Sequence, residues 1–164
     1  MKRLIFVRHA KSSWKDASLR DSERPLNKRG IRDAPKMGEL LRQEPFKVDQ
    51  LVTSSAERAR LTAEAFREAL GMDEHSLRVE RRIYDTFEPT IFQVVRELDD
   101  AQSTVALFGH NPTFTDLANI FSPIYIPNVP TCAYFVVEFD IESWQSFQPT
   151  QCRWVCIRMP KIDL

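Results

Sequence analysis

Apolar residues occur along this chain in short continuous runs that alternate with stripes at helical spacing. The runs within residues 4–7 and 103–108 are rich in β-forming side chains, which is typical of strands buried on both faces of a parallel sheet. Residues 49–53 are predicted to form a second, short strand, and residues 76–81 can hold another. This alternation of strands and helices predicts an α/β fold.

Capping signals precede the helical stripes. Asn27 is a predicted N-cap, and Ser54 with Glu57 three residues later forms a predicted capping box. Asn111 is predicted to cap a further helix whose first residue is Pro112. The stripes themselves consist of Ile31, Ala34, Met37 and Leu41; of Ala59, Ala63, Phe66 and Leu70; of Ile91, Val94, Val95 and Leu98; and of Phe114, Leu117, Ala118 and Phe121.

Two more strands are predicted at residues 131–139 and 153–159, with only a polar connection between them. Because no helix separates this pair, its members should lie antiparallel. We therefore expect a mostly parallel sheet with an antiparallel C-terminal edge. No repeat or linker interrupts the chain, and 164 residues suit one full core, so residues 1–164 are predicted to form a single domain.

Charge and hydropathy narrow the classes of function. Lys and Arg together number 23, as do Asp and Glu, so the formal net charge is zero and the positive charge of a nucleic-acid-binding protein is lacking. No apolar run approaches the ~20 residues that a membrane helix needs. With three cysteines and no signal-peptide apolar region, we expect a cytoplasmic protein without a nucleic-acid or membrane partner.

Cys152 and Cys156 are the two residues whose spacing resembles a metal clip. We predict that both lie on one strand, where four residues span roughly 13 Å, too far for two thiolates to bind one zinc ion. They are interpreted as structural thiols. The histidines also lack ligand spacing, so no metal site is expected.

Cationic and imidazole side chains follow three of the predicted strands. Arg8 and His9 come directly after the first strand. Arg58 lies in the first turn of the helix after the second strand, and His110 stands between a strand and a helix. Parallel strands end at one edge of a sheet, where open α/β sheets bind ligands, so these residues should meet there. A cation in the first turn of a helix interacts unfavourably with the helix dipole, at a cost of roughly 0.3–1 kcal/mol. An anion bound by both Arg58 and the helix N-terminus would offset this cost, and we expect such an anion here.

Two guanidinium and two imidazole groups at one edge predict a pocket for a dianion. Phosphoryl transfer requires such charge neutralisation, together with a nucleophile in line and a proton carrier. His9 can attack phosphorus through one ring nitrogen if a hydrogen bond holds the other.

Three motifs together resemble the histidine phosphatase superfamily. They are residues 4–13 with Arg8-His9; Ser54-Ser55-Ala56-Glu57-Arg58-Ala59 followed by Thr62-Ala63; and Gly109-His110-Asn111-Pro112. The short chain and the segment at residues 8–14 look most like the SixA-type branch, the protein phosphohistidine phosphatases. The resemblance covers about residues 4–121.

This resemblance implies a three-layer α/β/α sandwich, as in phosphoglycerate mutases. It also implies that His9 is the nucleophile that becomes phosphohistidine. Arg8, Arg58 and His110 would hold the phosphoryl group. No metal or organic cofactor is implied.

The general acid is where the sequence departs most from the superfamily pattern. Ala10 replaces the commoner Gly, which leaves the approach to the site clear. Larger relatives carry a catalytic Glu in a Gly- and Trp-containing context that is absent here. Asp85 and Glu88 are the acids near that place, and each is interpreted as solvated or helix-capping rather than catalytic. The proton donor is thus Asp85, Glu88 or neither.

Three functions fit these observations. The leading one is a phosphatase that works through phosphohistidine and acts on phosphohistidine in a protein. The alternative is a phosphatase or mutase for small phosphorylated metabolites. The third is a phosphate- or phosphoprotein-binding module without turnover, against which the nucleophile at His9 argues. The expected partner is therefore a phosphorylated protein or a small phosphorylated substrate.

Overall fold

A computed structural model describes residues 1–164 and shows one six-stranded sheet. Its strands are β1 (Lys2–Arg8), β2 (Gln50–Thr53), β3 (Leu77–Val79), β4 (Thr104–Gly109), β5 (Tyr134–Phe139) and β6 (Arg153–Arg158). The strand order is β3-β2-β4-β1-β5-β6. The first four strands along the chain are parallel, β5 runs antiparallel to β1, and β6 runs antiparallel to β5. The predicted parallel sheet with an antiparallel C-terminal edge is confirmed.

The helices are α1 (Lys28–Arg42), α2 (Glu57–Ala69), α3 (Glu88–Arg96), α4 (Thr113–Phe121) and a short α5 (Pro160–Asp163). Single 3₁₀ turns occur at Asp21–Glu23, Glu74–Ser76, Arg81–Ile83 and Trp144–Ser146. None of the helices is long and apolar enough to cross a membrane.

Strand β1 explains the three-layer arrangement. Its side chains alternate between two separate cores, with Leu4 and Phe6 packed among residues of α3 and α4. Ile5 and Val7 point to the other face, where they pack among residues of α1 and α2. A strand covered on both faces has no solvent side, and this is why residues 4–7 of β1 are continuously apolar.

The helix starts are only partly as predicted. The Asn27 side chain caps α1 by accepting a hydrogen bond from the Gly30 N–H, as expected. The Ser54 capping box is wrong, because the N-cap of α2 is Ala56 and no side chain caps it. The start of α4 is displaced by one residue, since Pro112 is the N-cap position rather than the first helical residue.

Cys152 and Cys156 lie beside and within β6 and are free, partly buried thiols. Burial raises the pKa of both thiols above the ordinary value, which keeps them protonated at neutral pH. Their interpretation as structural thiols agrees with this placement.

Candidate active site

The sheet brings Arg8, His9, Arg58 and His110 together at the carboxyl ends of neighbouring strands. Strand β4 lies between β1 and β2, so the residues after these strands converge. The rings of His9 and His110 are 5.2 Å apart between centroids. Both arginines lie close enough to influence the titration of both histidines.

Backbone contacts fix the orientation of His9. Its Nδ1 lies 2.7 Å from the carbonyl oxygen of Ala10, which can only accept, so Nδ1 carries the proton and Nε2 keeps its lone pair. The Ala10 N–H in turn donates to Thr62 Oγ1 at 2.9 Å. Burial lowers the pKa of His9 to about 3; the bond to Ala10 opposes this shift, and the nearby His110 and Arg58 add to it. His9 is therefore a neutral imidazole with a free nucleophilic nitrogen at neutral pH.

Ser54 fixes the tautomer of His110. The Ser54 Oγ lies 2.7 Å from His110 Nε2 and accepts a hydrogen bond from the Ala56 N–H at 3.2 Å. Ser54 is fully buried, so its own hydroxyl proton needs an acceptor, and Nε2 is the one in reach. The hydrogen-bond network thus assigns the proton of His110 to Nδ1.

His110 is also neutral near pH 7. Burial, together with the charge of Arg58, lowers its pKa to about 4. The two histidines therefore share one tautomer but present opposite groups: His9 presents a lone pair, and His110 presents an N–H donor.

The two guanidinium groups are anchored through their terminal nitrogens. Arg8 Nη1 donates to the Val129 carbonyl at 2.9 Å. Arg58 Nη1 donates to the Asp21 carbonyl at 2.7 Å, and its Nη2 donates to Asp21 Oδ2 at 3.0 Å. These anchors leave the Nε–H of each arginine without a partner inside the protein.

Three buried side-chain atoms have no hydrogen-bond partner, and all three belong to this site. They are Arg8 Nε, Arg58 Nε and His110 Nδ1. A buried donor without a partner costs about 1–3 kcal/mol, so three in one place indicate a site for a ligand that accepts hydrogen bonds. A tetrahedral oxyanion offers three such oxygens around the atom that faces His9 Nε2.

Asp21 and Tyr84 belong to the site, although no local pattern of residues predicts either. The Tyr84 hydroxyl donates to Asp21 Oδ2 at 2.7 Å, and the Tyr84 ring meets the His110 ring edge-on at 5.6 Å. The hydrogen bond from Tyr84, together with Arg58, lowers the pKa of Asp21 to about 2. Asp21 thus supplies one anionic partner of Arg58 from within the protein, and the binding of a phosphoryl group by Arg58 stays a prediction.

Neither suggested general acid forms a hydrogen bond with the ring of His9 or His110. Asp85 is exposed and has a φ of +50°, in the left-handed region. Glu88 is the first residue of α3, whose start has no side-chain cap, so neither acid caps the helix, whereas the exposure of Asp85 agrees with the alternative that it is solvated. Asp21 is close but ionised at neutral pH, so it has no proton to give. No group of three or more His, Cys, Asp or Glu side chains is arranged to hold a metal ion.

Comparison with known proteins adds to this geometry. A family model of the histidine phosphatase superfamily (branch 1) matches residues 4–87. An uncharacterized protein of Mycobacterium tuberculosis is 35% identical over 118 residues, which are 72% of this chain and 71% of that protein. An uncharacterized chloroplastic protein of Arabidopsis thaliana is 30% identical over 152 residues, covering 88% of this chain and 69% of that protein. A crystal structure assigned as the phosphohistidine phosphatase SixA of Agrobacterium tumefaciens superposes with a TM-score of 0.79 at 25% identity, over 97% and 98% of the two chains.

Proposed function

The chain belongs to the histidine phosphatase superfamily, and on that premise we propose that it hydrolyses phosphohistidine on a protein through a covalent phosphohistidine at His9. The observation that carries this proposal is the set of three unpartnered buried N–H groups around the free nitrogen of His9. A similarity to a SixA phosphohistidine phosphatase structure supports the substrate class.

In the first step, His9 Nε2 attacks phosphorus and a new P–N bond forms. Arg8 Nε, Arg58 Nε and His110 Nδ1 donate to the three equatorial oxygens, where the charge of the transition state is spread. The P–N bond of the substrate breaks, and its electron pair stays on the departing imidazole nitrogen. That nitrogen takes a proton from water.

In the second step, a water molecule attacks the phosphorus of phosphorylated His9. The P–N bond to Nε2 breaks with its electron pair staying on Nε2, inorganic phosphate leaves, and the proton released by the water passes to phosphate. His9 returns to its neutral form, held by the same bond from Nδ1 to the Ala10 carbonyl.

The choice of substrate follows from the acids around the site. Cleavage of an alkyl phosphate releases an alkoxide, whose conjugate acid has a pKa on the order of that of water, near 15.7. A positioned acid then contributes about 10²–10⁴-fold, and no protonated carboxylic acid touches these histidines. Imidazole leaves with a conjugate-acid pKa of about 6.5 and needs little help.

The test compares His9→Ala with His75→Ala, a matched control in which the lost histidine is exposed and distant from the site. We expect His9→Ala to abolish turnover of a phosphohistidine peptide, and His75→Ala to keep it. Wild-type protein quenched during turnover should carry an acid-labile, alkali-stable phosphate on His9.

The substrate panel separates the competing functions. We expect a higher kcat/KM for a phosphohistidine peptide than for a phosphoserine peptide or a sugar phosphate. Equal or better turnover of the alkyl esters would favour the small-metabolite phosphatase or mutase. Tight phosphate binding without turnover by the wild-type protein would favour the binding module.

A further inference from the structure

A groove of about 540 Å³ lies beside the candidate active site and is lined by four cationic side chains. Arg29, Arg32 and Lys36 come from one face of α1, at positions i, i+3 and i+7. Lys161 of α5 completes the set. We call this feature the basic groove.

Only part of the positive charge of the basic groove is neutralised within the protein. Asp33 is the acidic side chain in its lining, and it lies 2.9 Å from Arg32 and 3.8 Å from Arg29. Asp163 of α5 accepts a hydrogen bond from the Met159 N–H. Neither Lys36 nor Lys161 takes part in an ion pair, whereas Arg29 and Arg32 share Asp33.

The basic groove is connected to the active site through residues 129–132. Arg29 Nη2 donates to Thr131 Oγ1 at 3.1 Å. Val129 accepts the hydrogen bond that anchors Arg8, and the Cys132 N–H donates to the carbonyl of His9 at 3.1 Å. A molecule that binds both the active site and the basic groove would therefore have to reach across residues 129–132. A small phosphate ester bound beside His9 does not reach that far.

We propose that the basic groove binds an acidic segment of the protein that carries the phosphohistidine; this inference rests on the proposed function. Charge complementarity selects acidic side chains, and the lining also holds Met159 and the exposed Ile162, which suit apolar side chains of a peptide. A single-stranded nucleic acid is disfavoured because no aromatic residue lines the groove to stack on its bases.

The experiment uses three synthetic peptides of equal length, each with one phosphohistidine and with acidic, uncharged or lysine-rich flanks. We expect a kcat/KM for the acidic peptide about tenfold above that for the lysine-rich peptide at low salt, a gap that shrinks as salt screens the charges. The double variant Lys36→Glu with Lys161→Glu should abolish or reverse this preference.

Lys47→Glu is the matched control, because Lys47 is exposed and lies before β2, at the opposite edge of the sheet. It should keep the preference for the acidic peptide. Hydrolysis of an aryl phosphate should be unchanged in both variants, which also shows that they fold. The milder pair Lys36→Gln with Lys161→Gln should produce a smaller shift in the same direction.

Each other outcome counts against the inference. Turnover of all three peptides without a charge preference would refute binding of an acidic segment in the basic groove. A preference that survives the double variant would refute it as well. Both outcomes would leave the proposed function intact. Competition by an oligonucleotide or by anionic vesicles that disappears in the double variant would assign the groove to that ligand instead. Hydrolysis of sugar phosphates with no turnover of any phosphohistidine peptide would refute the proposed function and, with it, this inference.

Discussion

Replacing Ser54 by Ala should change which nitrogen of His110 carries the proton. In the wild-type protein the Ser54 hydroxyl donates to His110 Nε2 at 2.7 Å, and this bond keeps the proton on Nδ1. Without the hydroxyl, His110 is free to move its proton to Nε2. Nδ1 would then face a bound oxyanion with a lone pair instead of a donor.

The size of both effects follows from the hydrogen bonds that are lost. Ser54→Ala leaves His110 Nε2 and the Ala56 N–H without their buried partner, at about 1–3 kcal/mol, so we expect the free energy of unfolding to fall by about 2 kcal/mol. A hydrogen bond to a charged acceptor is worth about 1.5–3 kcal/mol, so vanadate should bind about 10- to 100-fold more weakly.

Inhibition by vanadate and ¹⁵N NMR of labelled histidine rings provide the assay. The ring shifts report directly whether His110 is protonated on Nδ1 or Nε2, and the chain has only three histidines to assign. Ser55→Ala is the matched control, because Ser55 is the exposed neighbour of Ser54 and should leave both the tautomer and the inhibition constant unchanged. A wild-type His110 protonated on Nε2, or a Ser54→Ala protein with wild-type vanadate affinity, would refute the reasoning.

Three further changes test other parts of the structure. Arg58→Ala should weaken vanadate binding about 10- to 100-fold, as measured by calorimetric titration. Because the substitution also removes two hydrogen bonds to Asp21, urea unfolding should show a free energy of unfolding lower by about 1–2 kcal/mol. An unchanged stability would contradict the role of Asp21. The pKa of His9 is lowered to about 3 and that of His110 to about 4. Below about pH 6.5 the unfolded chain therefore takes up protons on these imidazoles that the folded chain does not. The free energy of unfolding should fall by about 2 kcal/mol per imidazole between pH 8 and pH 5. Urea unfolding of His110→Asn should show a shallower loss over that range, whereas a slope equal to that of the wild-type protein would be inconsistent with a neutral buried ring. Gly30→Ala would place a Cβ in steric conflict with the carbonyl oxygen of Lys11, so urea unfolding should show a loss of about 1–3 kcal/mol, and a fully stable variant would mean that α1 can shift away without cost.

The sequence predicted the parts of the site that depend on strand ends and missed the parts that depend on loops. Arg8, His9 and His110 could be placed because a continuous apolar run shows where a buried strand ends. Asp21 could not be placed, because its position beside Arg58 depends on how the polar loop after β1 folds back over α2, and that loop has no periodicity.

Ser54 was interpreted wrongly for a physical reason. A Ser followed three residues later by Glu has the pattern of a capping box, and in an isolated helix the hydroxyl would satisfy a backbone N–H. Here the hydroxyl accepts from the N–H of Ala56, two residues on, and donates to the imidazole of His110, while α2 begins only at Glu57 and has no side-chain cap. Such long-range competition between partners is not visible in local spacing.

The position of β1 in the sheet has a consequence for how the protein is made. This strand leaves the ribosome first among the six, but its two neighbours are β4 and β5, and the latter ends about 130 residues after β1. At synthesis rates of about 5–20 residues per second, this strand with its apolar run at residues 4–7 waits roughly 7–26 s before both of its edges are paired. During this interval its unpaired edges can join other chains, so newly made protein should depend on chaperones until β5 has emerged.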